Sequence, residues 1–268
     1  MMRAPSDQHI LARFDVGHLE VRVYASVAAM ASSAAMATAD AMRQPLPACG
    51  SHAIVFASAP SQTAFLESLA GYPSLPWSDT VAFHLDEYVG LPRTAEASFA
   101  RFLAERLFSR VPLAATHYLD GTAAVPSEEC ARYTRLLRHH PLSIACIGVG
   151  ENGHIAFNEP GDTDFEDARS VRVVRLDETS RRQQVRDGCF ADLAEVPREA
   201  ITLTVPAIMA ATTICCVVPG RQKASAIQRM LQGPVAPSCP ASVLRRHSNA
   251  LLFLDRDAAS ELNLAIND

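Results

Sequence analysis

Two short segments hold most of the residues able to do chemistry. FHLDEYVGLP (83–92) sets Asp86 beside Glu87, and IGVGENGHIAFNEPG (147–161) places Asn152, His154, Asn158 and Glu159 among Gly148, Gly150 and Gly153. Adjacent residues of an extended chain point to opposite faces, so at most one of Asp86 and Glu87 meets a shared ligand directly, and the sequence leaves open which. Such a pair can also do no more than end a strand and cap the next element. In the second segment the glycines allow close approach of backbone to a ligand. Histidine titrates near neutrality, and a nearby carboxylate can orient and charge it. By itself His154 reads as a structural histidine. With Glu159 five residues on and a carboxylate from the other segment, it becomes a candidate general acid or base. The three glycines also trace the outline of a dinucleotide loop, but they follow a late strand and the last is followed at once by histidine.

The elements that must position these residues are short apolar runs alternating with helical patterns. Residues 19–25, 52–57, 81–85, 142–147, 201–205, 212–218 and 250–254 read as strands. Residues 26–42, 63–70, 98–108, 127–139 and 222–231 read as helices, with one more helix after the last strand. Strands this short and apolar, interleaved with helices, predict an α/β fold: a mostly parallel, modified Rossmann-like sheet with helices on both faces. Ligands of such sheets bind beyond the carboxyl ends of the strands, which is where both chemical segments fall. No internal repeat or low-complexity linker is visible, and the proline-rich stretch 233–240 reads as a loop, so a single domain over 1–268 is expected.

Composition excludes several roles. With 268 residues, 49% hydrophobic, the chain can bury a large core without staples. A net charge of −5 without basic clusters argues against nucleic acid, which demands a positive face. Residues 1–13 contain no apolar signal core, and no stretch approaches the roughly 18 apolar residues of a membrane span, so a cytoplasmic, non-membrane protein is expected. The seven cysteines (49, 130, 146, 189, 215, 216, 239) are odd in number, form no Cys-x-x-Cys and sit mostly in apolar runs. They read as buried thiols rather than as disulfides or metal ligands. Among 24 basic residues only Lys223 is a lysine, which marks it for attention.

FHLDEYVGLP and GVGENGHIAFNEPG, followed by ITLTVPAIMAA (201–211) and PGRQKA (219–224), resemble the glucosamine-6-phosphate deaminase (isomerase) family. The 6-phosphogluconolactonases of the wider superfamily typically carry Asp-Glu-Arg at the first site and Gly-His-Thr-Ala-Ser-Leu-Phe-Pro at the second. Tyr88 and the run Phe157-Asn158-Glu159-Pro160-Gly161 place this chain on the deaminase side. The resemblance implies conversion of a 2-amino-2-deoxyhexose 6-phosphate to fructose 6-phosphate and ammonia, with no metal and no organic cofactor. It implies His154, tuned by Glu159, as the ring-opening acid/base, and Asp86 as the base that moves a proton from C2 to C1. Lys223 matches the family's phosphate-binding lysine, and Arg186 a second cation carried by a mobile lid. The implied partner is a small hexosamine phosphate, and a homo-oligomer of this chain is left open. A galactosamine 6-phosphate enzyme, a lactonase and a non-catalytic sugar-phosphate sensor are the competing readings.

The chain also departs from that family. Its first phosphate loop usually reads Thr-Gly-Gly/Ser-Thr-Pro, whereas here Ser58, Ala59, Pro60, Ser61, Gln62 and Thr63 stand in its place. Hydroxyls and backbone N–H groups at a helix start can still hold a phosphate, so Ser58, Ser61, Gln62 and Thr63, with Gly148 and Gly150, remain the expected substrate contacts. Asn152 occupies a position that is Asp in some members; an amide is no base, so it can only orient His154 or the substrate. After Arg186 the sequence DGCF replaces an aromatic pair, and Arg181 and Arg182 read either as surface charges or as substitutes for it. Some hexameric members bind an anionic effector with basic residues shortly after the Glu-Pro motif. Here Asp162, Asp164, Glu166 and Asp167 would repel an anion, opposed only by Arg169 and Arg172, and no such activation is expected.

Overall fold

Runs such as HAIVF and LSIACI leave no polar side for water, so they belong where both faces of a sheet are covered. The computed structural model describes residues 10–47 and 50–263. Its strands are Ile10–Val16 (β1), Leu19–Tyr24 (β2), His52–Phe56 (β3), Thr80–His84 (β4), Asp86–Tyr88 (β5), Ala115–His117 (β6), Leu142–Ile147 (β7), Val171–Arg175 (β8), Glu199–Leu203 (β9), Thr213–Val218 (β10) and Ala250–Asp255 (β11). Its helices are Val27–Met42 (α1), Thr63–Ala70 (α2), Phe99–Leu103 (α3), Pro126–His139 (α4), Glu178–Arg186 (α5), Val205–Met209 (α6) and Ala224–Gln232 (α7).

Eight strands form one sheet in the order β1-β2-β11-β10-β7-β3-β4-β6, in which only β1 runs antiparallel to its neighbour. Alternate residues of each central strand feed two different cores. Ala53, Val55, Ala145, Ile147, Cys216 and Val218 pack with side chains of α4, α6 and α7. Ile54, Phe56, Ile144, Cys146, Cys215 and Val217 pack on the opposite face with α1, α2 and α3. The expected mostly parallel sheet with helices on both faces is therefore present.

From β3 the chain works outward to β4 and β6, then returns to β7 beside β3 and proceeds the other way to β10 and β11. That reversal opens a crevice beyond the carboxyl ends of β3 and β7, the usual place for a ligand in an open α/β sheet.

Two expectations need correction. The run at 201–205 is not a parallel strand of the main sheet: β9 lies between β5 and β8 in a separate three-stranded antiparallel sheet. The reason is local. Only Leu85 separates β4 from β5, the Leu203 N–H donates to the Leu85 carbonyl (3.0 Å), and Asp86 then pairs with Thr202. An apolar run shows that a strand is buried but not which sheet it joins. The helix expected after β11 is also absent over 256–262, which form turns; the Asp255 Oδ1 accepts from the Ala258 N–H (2.8 Å) and three-residue turns follow.

The six described cysteines are all free, and five are buried. Burial pushes the Cys215 thiol up to about 12 and, with Glu129 beside it, Cys130 up to about 11, so these are inert side chains. Cys49 and residues 1–9 lie outside the described residues. Among the described residues no helix is long and apolar enough to cross a membrane.

Candidate active site

The crevice is a narrow cleft built from the β3–α2 loop, β5, the loop after β7, α5 and the turn before α7. Pleating of β5 decides between the two adjacent carboxylates. Asp86 lines the cleft, 6% exposed, and its carboxylate has no hydrogen bond among the described residues. Burial, with the charge of Glu87 beside it, pushes that carboxyl well above the usual range. Glu87 points the other way, to the start of α3. There it accepts from the N–H groups of Tyr88 (3.0 Å), Phe99 (3.2 Å) and Ala100 (3.0 Å) and from the Ser98 hydroxyl (2.8 Å). Burial raises its carboxyl as well, although those four bonds oppose the rise. One carboxylate is offered to a ligand and the other is a buried helix cap.

The loop after β7 folds around the histidine. The Gly150 N–H donates to the His154 carbonyl (3.0 Å), and a Cβ on Gly150 would sit 2.1 Å from the imidazole. At Gly148 a Cβ would sit 2.9 Å from the Gln62 Nε2. Both glycines line the cleft, but what they make room for first is a side chain of the protein. A tight turn follows, with Ala156 at φ +52° and the Asn158 N–H donating to the Ile155 carbonyl (3.0 Å). It reverses the chain and returns Glu159 to His154, Oε2 lying 3.4 Å from Nδ1. Asn158 is a strut rather than a ligand, its Nδ2 donating to the carbonyls of Ile155 and Leu203.

Asn152 closes the set. Its Nδ2 donates to Glu159 Oε2 (2.7 Å), so its Oδ1 is the acceptor facing His154, 3.1 Å from the backbone N and 2.8 Å from Nδ1. That network assigns the proton to Nδ1 and leaves Nε2 as the bare nitrogen, with no hydrogen-bond partner among the described residues. Burial would raise the Glu159 carboxyl, but the electrostatic influence of His154 and hydrogen bonds from His154, Ser180 and Asn152 outweigh it and hold Glu159 below its ordinary value.

At the other end of the cleft the Ser58 hydroxyl is buried without a partner among the described residues, Gln62 is pinned through its Nε2 to the Val217 carbonyl (3.0 Å), and Ser61 lies on the wall. Lys223 is 5% exposed. Burial pushes its ammonium down, while Glu151 and Asp187 pull it back up. Two expected contacts stand apart. Thr63 opens α2 and faces an adjoining groove shared with Ser61 and Lys223. Arg186 is half exposed, ion-paired with Glu151, and outside the lining of the cleft. Arg181 is spent on the carbonyls of Leu193 and Val196, and Arg182 on Glu178, so neither replaces it.

Sequence reading missed the inner face of α5. Ser180, Gln183 and Gln184 recur at i, i+3 and i+4, a spacing that stacks them on one side of a helix, and all three are buried. Ser180 Oγ lies 3.1 Å from His154 Nδ1, and Gln183 and Gln184 line the cleft. The signal is a polar stripe, masked in the sequence by the three arginines of the same helix, Arg181, Arg182 and Arg186. Phe190, just beyond, packs edge-on against Tyr88 with ring centroids 5.4 Å apart and seats this segment on the small sheet.

Over residues 25–253 the sequence matches the model of the glucosamine-6-phosphate isomerases and 6-phosphogluconolactonases. The chain belongs to this family. Within it, a glucosamine-6-phosphate deaminase of Streptococcus uberis is 40% identical over 70% of this chain and 79% of its own length. One from Bacillus thuringiensis is 39% identical over 72% of each. The solved structure of a monomeric glucosamine-6-phosphate deaminase superposes with a TM-score of 0.81 at 28% identity, over 90% of this chain and 99% of that one. The 6-phosphogluconolactonase of Trypanosoma brucei, at 17% identity, shares the fold with a TM-score of 0.75 over 94% and 100% of the two chains.

Proposed function

We propose that this member of the family is a cytoplasmic glucosamine-6-phosphate deaminase: amino-sugar phosphate and water give fructose 6-phosphate and ammonia. The observation that carries the reading is one cleft holding an unpartnered Asp86 carboxylate, a His154 imidazole with a bare Nε2, and the buried ammonium of Lys223. The phosphate lies at Lys223 with the Ser58 and Ser61 hydroxyls, and Arg186, whose charge is felt at Lys223, is the second cation at the rim. That end fixes the sugar's register. His154 Nε2 takes the anomeric hydroxyl proton as the ring opens and returns a proton to the ring oxygen, while Asn152 and Glu159 hold the imidazole.

Asp86 then removes the C2 proton and delivers it to C1 through an enolamine. Its burial makes it a stronger base than an exposed aspartate, which suits a carbon acid. The C2 iminium formed on reprotonation adds water and expels ammonia. The six free thiols among the described residues suit a reducing compartment.

The test is ammonia release and fructose 6-phosphate formation from glucosamine 6-phosphate, galactosamine 6-phosphate and their N-acetyl forms, with 6-phosphogluconolactone hydrolysis alongside. Turnover of glucosamine 6-phosphate is expected, and silence on every amino sugar refutes the reading.

A further inference from the structure

His154 Nδ1 has three oxygens about it: Asn152 Oδ1 at 2.8 Å, Ser180 Oγ at 3.1 Å and Glu159 Oε2 at 3.4 Å. Two come from the same loop as the histidine and travel with it. The third comes from α5, a separate element joining the small sheet's β8 to β9, so the cradle of the imidazole is complete only while α5 is docked. Ser180 is 2% exposed, on the first turns of a helix capped by Asp177. A serine in such a helix ordinarily turns its hydroxyl to a backbone carbonyl one turn back. This one makes no such bond among the described residues and is turned to the histidine instead.

We propose that Ser180 is a positioning residue for His154, and that docking of α5 against the loop after β7 is what completes the proton-holding cradle at Nδ1. The hydrogen bonding is consistent throughout. The Nδ1–H is shared between Asn152 Oδ1 and Ser180 Oγ, and the Ser180 O–H is free to donate to Glu159, whose other oxygen, Oε1, is buried without a partner among the described residues. An imidazole whose distal nitrogen is held in one protonation state and one orientation presents its other nitrogen to the ligand in a fixed role. The same helix brings Gln183 and Gln184 to the cleft wall, so the element that completes the cradle also lines the ligand site.

This inference rests on the acid/base reading of His154, and its test separates the two. In uniformly ¹⁵N-labelled full-length protein, two-bond ¹H–¹⁵N correlation spectra report which imidazole nitrogen carries the proton, with the His154 signals assigned by their loss in H154N. Deamination kinetics run beside them. Ser180→Ala leaves in place the charged groups that share the site with the imidazole, namely Glu159 from its own loop, Asp86 from β5 and Lys223 at the far end.

The expected result is a kcat lowered about tenfold, the scale found for groups that orient a working imidazole, with KM essentially unchanged. The His154 nitrogen shifts should move toward a tautomer mixture, and Ser180→Thr, which keeps the hydroxyl, should restore both. Wild-type kcat and wild-type shifts in Ser180→Ala overturn the proposal, as does a kcat loss with the imidazole signals unmoved. If the wild-type protein releases no ammonia while Ser180→Ala still moves the shifts, the positioning stands and the deaminase reading falls.

Discussion

A carboxylate taken out of water without hydrogen bonds destabilises the fold that buries it, and Asp86 is such a group. Its pKa lies well above 3.8 in the folded state, chiefly through burial. Between 3.8 and that raised value the folded protein keeps a proton that the unfolded chain has released, so stability falls as pH climbs through the window and the full penalty applies above it. Asp86→Asn removes the titration. It should melt higher than the parent at neutral pH, the gap closing as the buffer is taken down through that window towards 3.8. Its turnover should fall by about 10²- to 10⁴-fold, the contribution of a general base, while phosphate affinity survives. Near-normal ammonia release refutes the role. Its neighbour behaves oppositely. Glu87→Ala leaves a buried hydroxyl and the N–H groups at the start of α3 without an acceptor, which costs about 3 kcal/mol in denaturant unfolding. A variant as stable as the parent would remove the cap argument.

Elements were legible where a period could accumulate. β3, α2, β7 and α7 were predicted nearly to the residue, because four or more consecutive positions repeat one burial pattern. The three-residue β5 and β6 have no period, and β8 (VRVVR) hides an apolar strand behind arginines. At the site, types and spacing marked Asp86, His154 and Glu159, but which of Asp86 and Glu87 faces the cleft awaited the pairing of β5 with β9. The buried face of α5 was not legible, because a polar stripe reads as a solvated surface until the fold covers it.

Lys223 shows what element placement adds to composition. The turn carrying it is tied down where the Gly220 N–H donates to Asp255 Oδ1 (3.0 Å), and α7 behind it packs Ala226, Ile227 and Met230 into the core. A slot anchored this way is fitted to a compact ammonium, and the broad guanidinium fork needs more room and other geometry. Lys223→Arg should therefore raise KM for the sugar phosphate about tenfold, a loss of about 1.4 kcal/mol in binding, with little change in kcat. An unchanged KM would make the lysine incidental.

Across the whole molecule, an acidic protein that handles an anion must keep its positive charge where the anion is wanted and cancel it elsewhere. Lys223 is kept within the cleft. The arginines near the Glu-Pro motif are cancelled: Arg169 bonds Asp167 (2.8 Å), and Arg172, 8% exposed, bonds Asp162 (3.0 Å) with Asp167 at 3.9 Å. A phosphate arriving there would have to displace carboxylates already in contact with both guanidiniums and face Asp164 and Glu166 beyond them. Even where the exposed Asp162 is displaced from Arg172, the buried Asp167 stays beside the guanidinium, so an incoming anion meets a charge already partly neutralised. Rate against glucosamine 6-phosphate concentration should accordingly be hyperbolic and unmoved by millimolar N-acetylglucosamine 6-phosphate. A sigmoidal curve that straightens on adding that compound would mean those pairs open more readily than their geometry indicates. Asp162→Asn together with Asp167→Asn, which frees both arginines, is then the variant in which sensitivity to the anion should first appear.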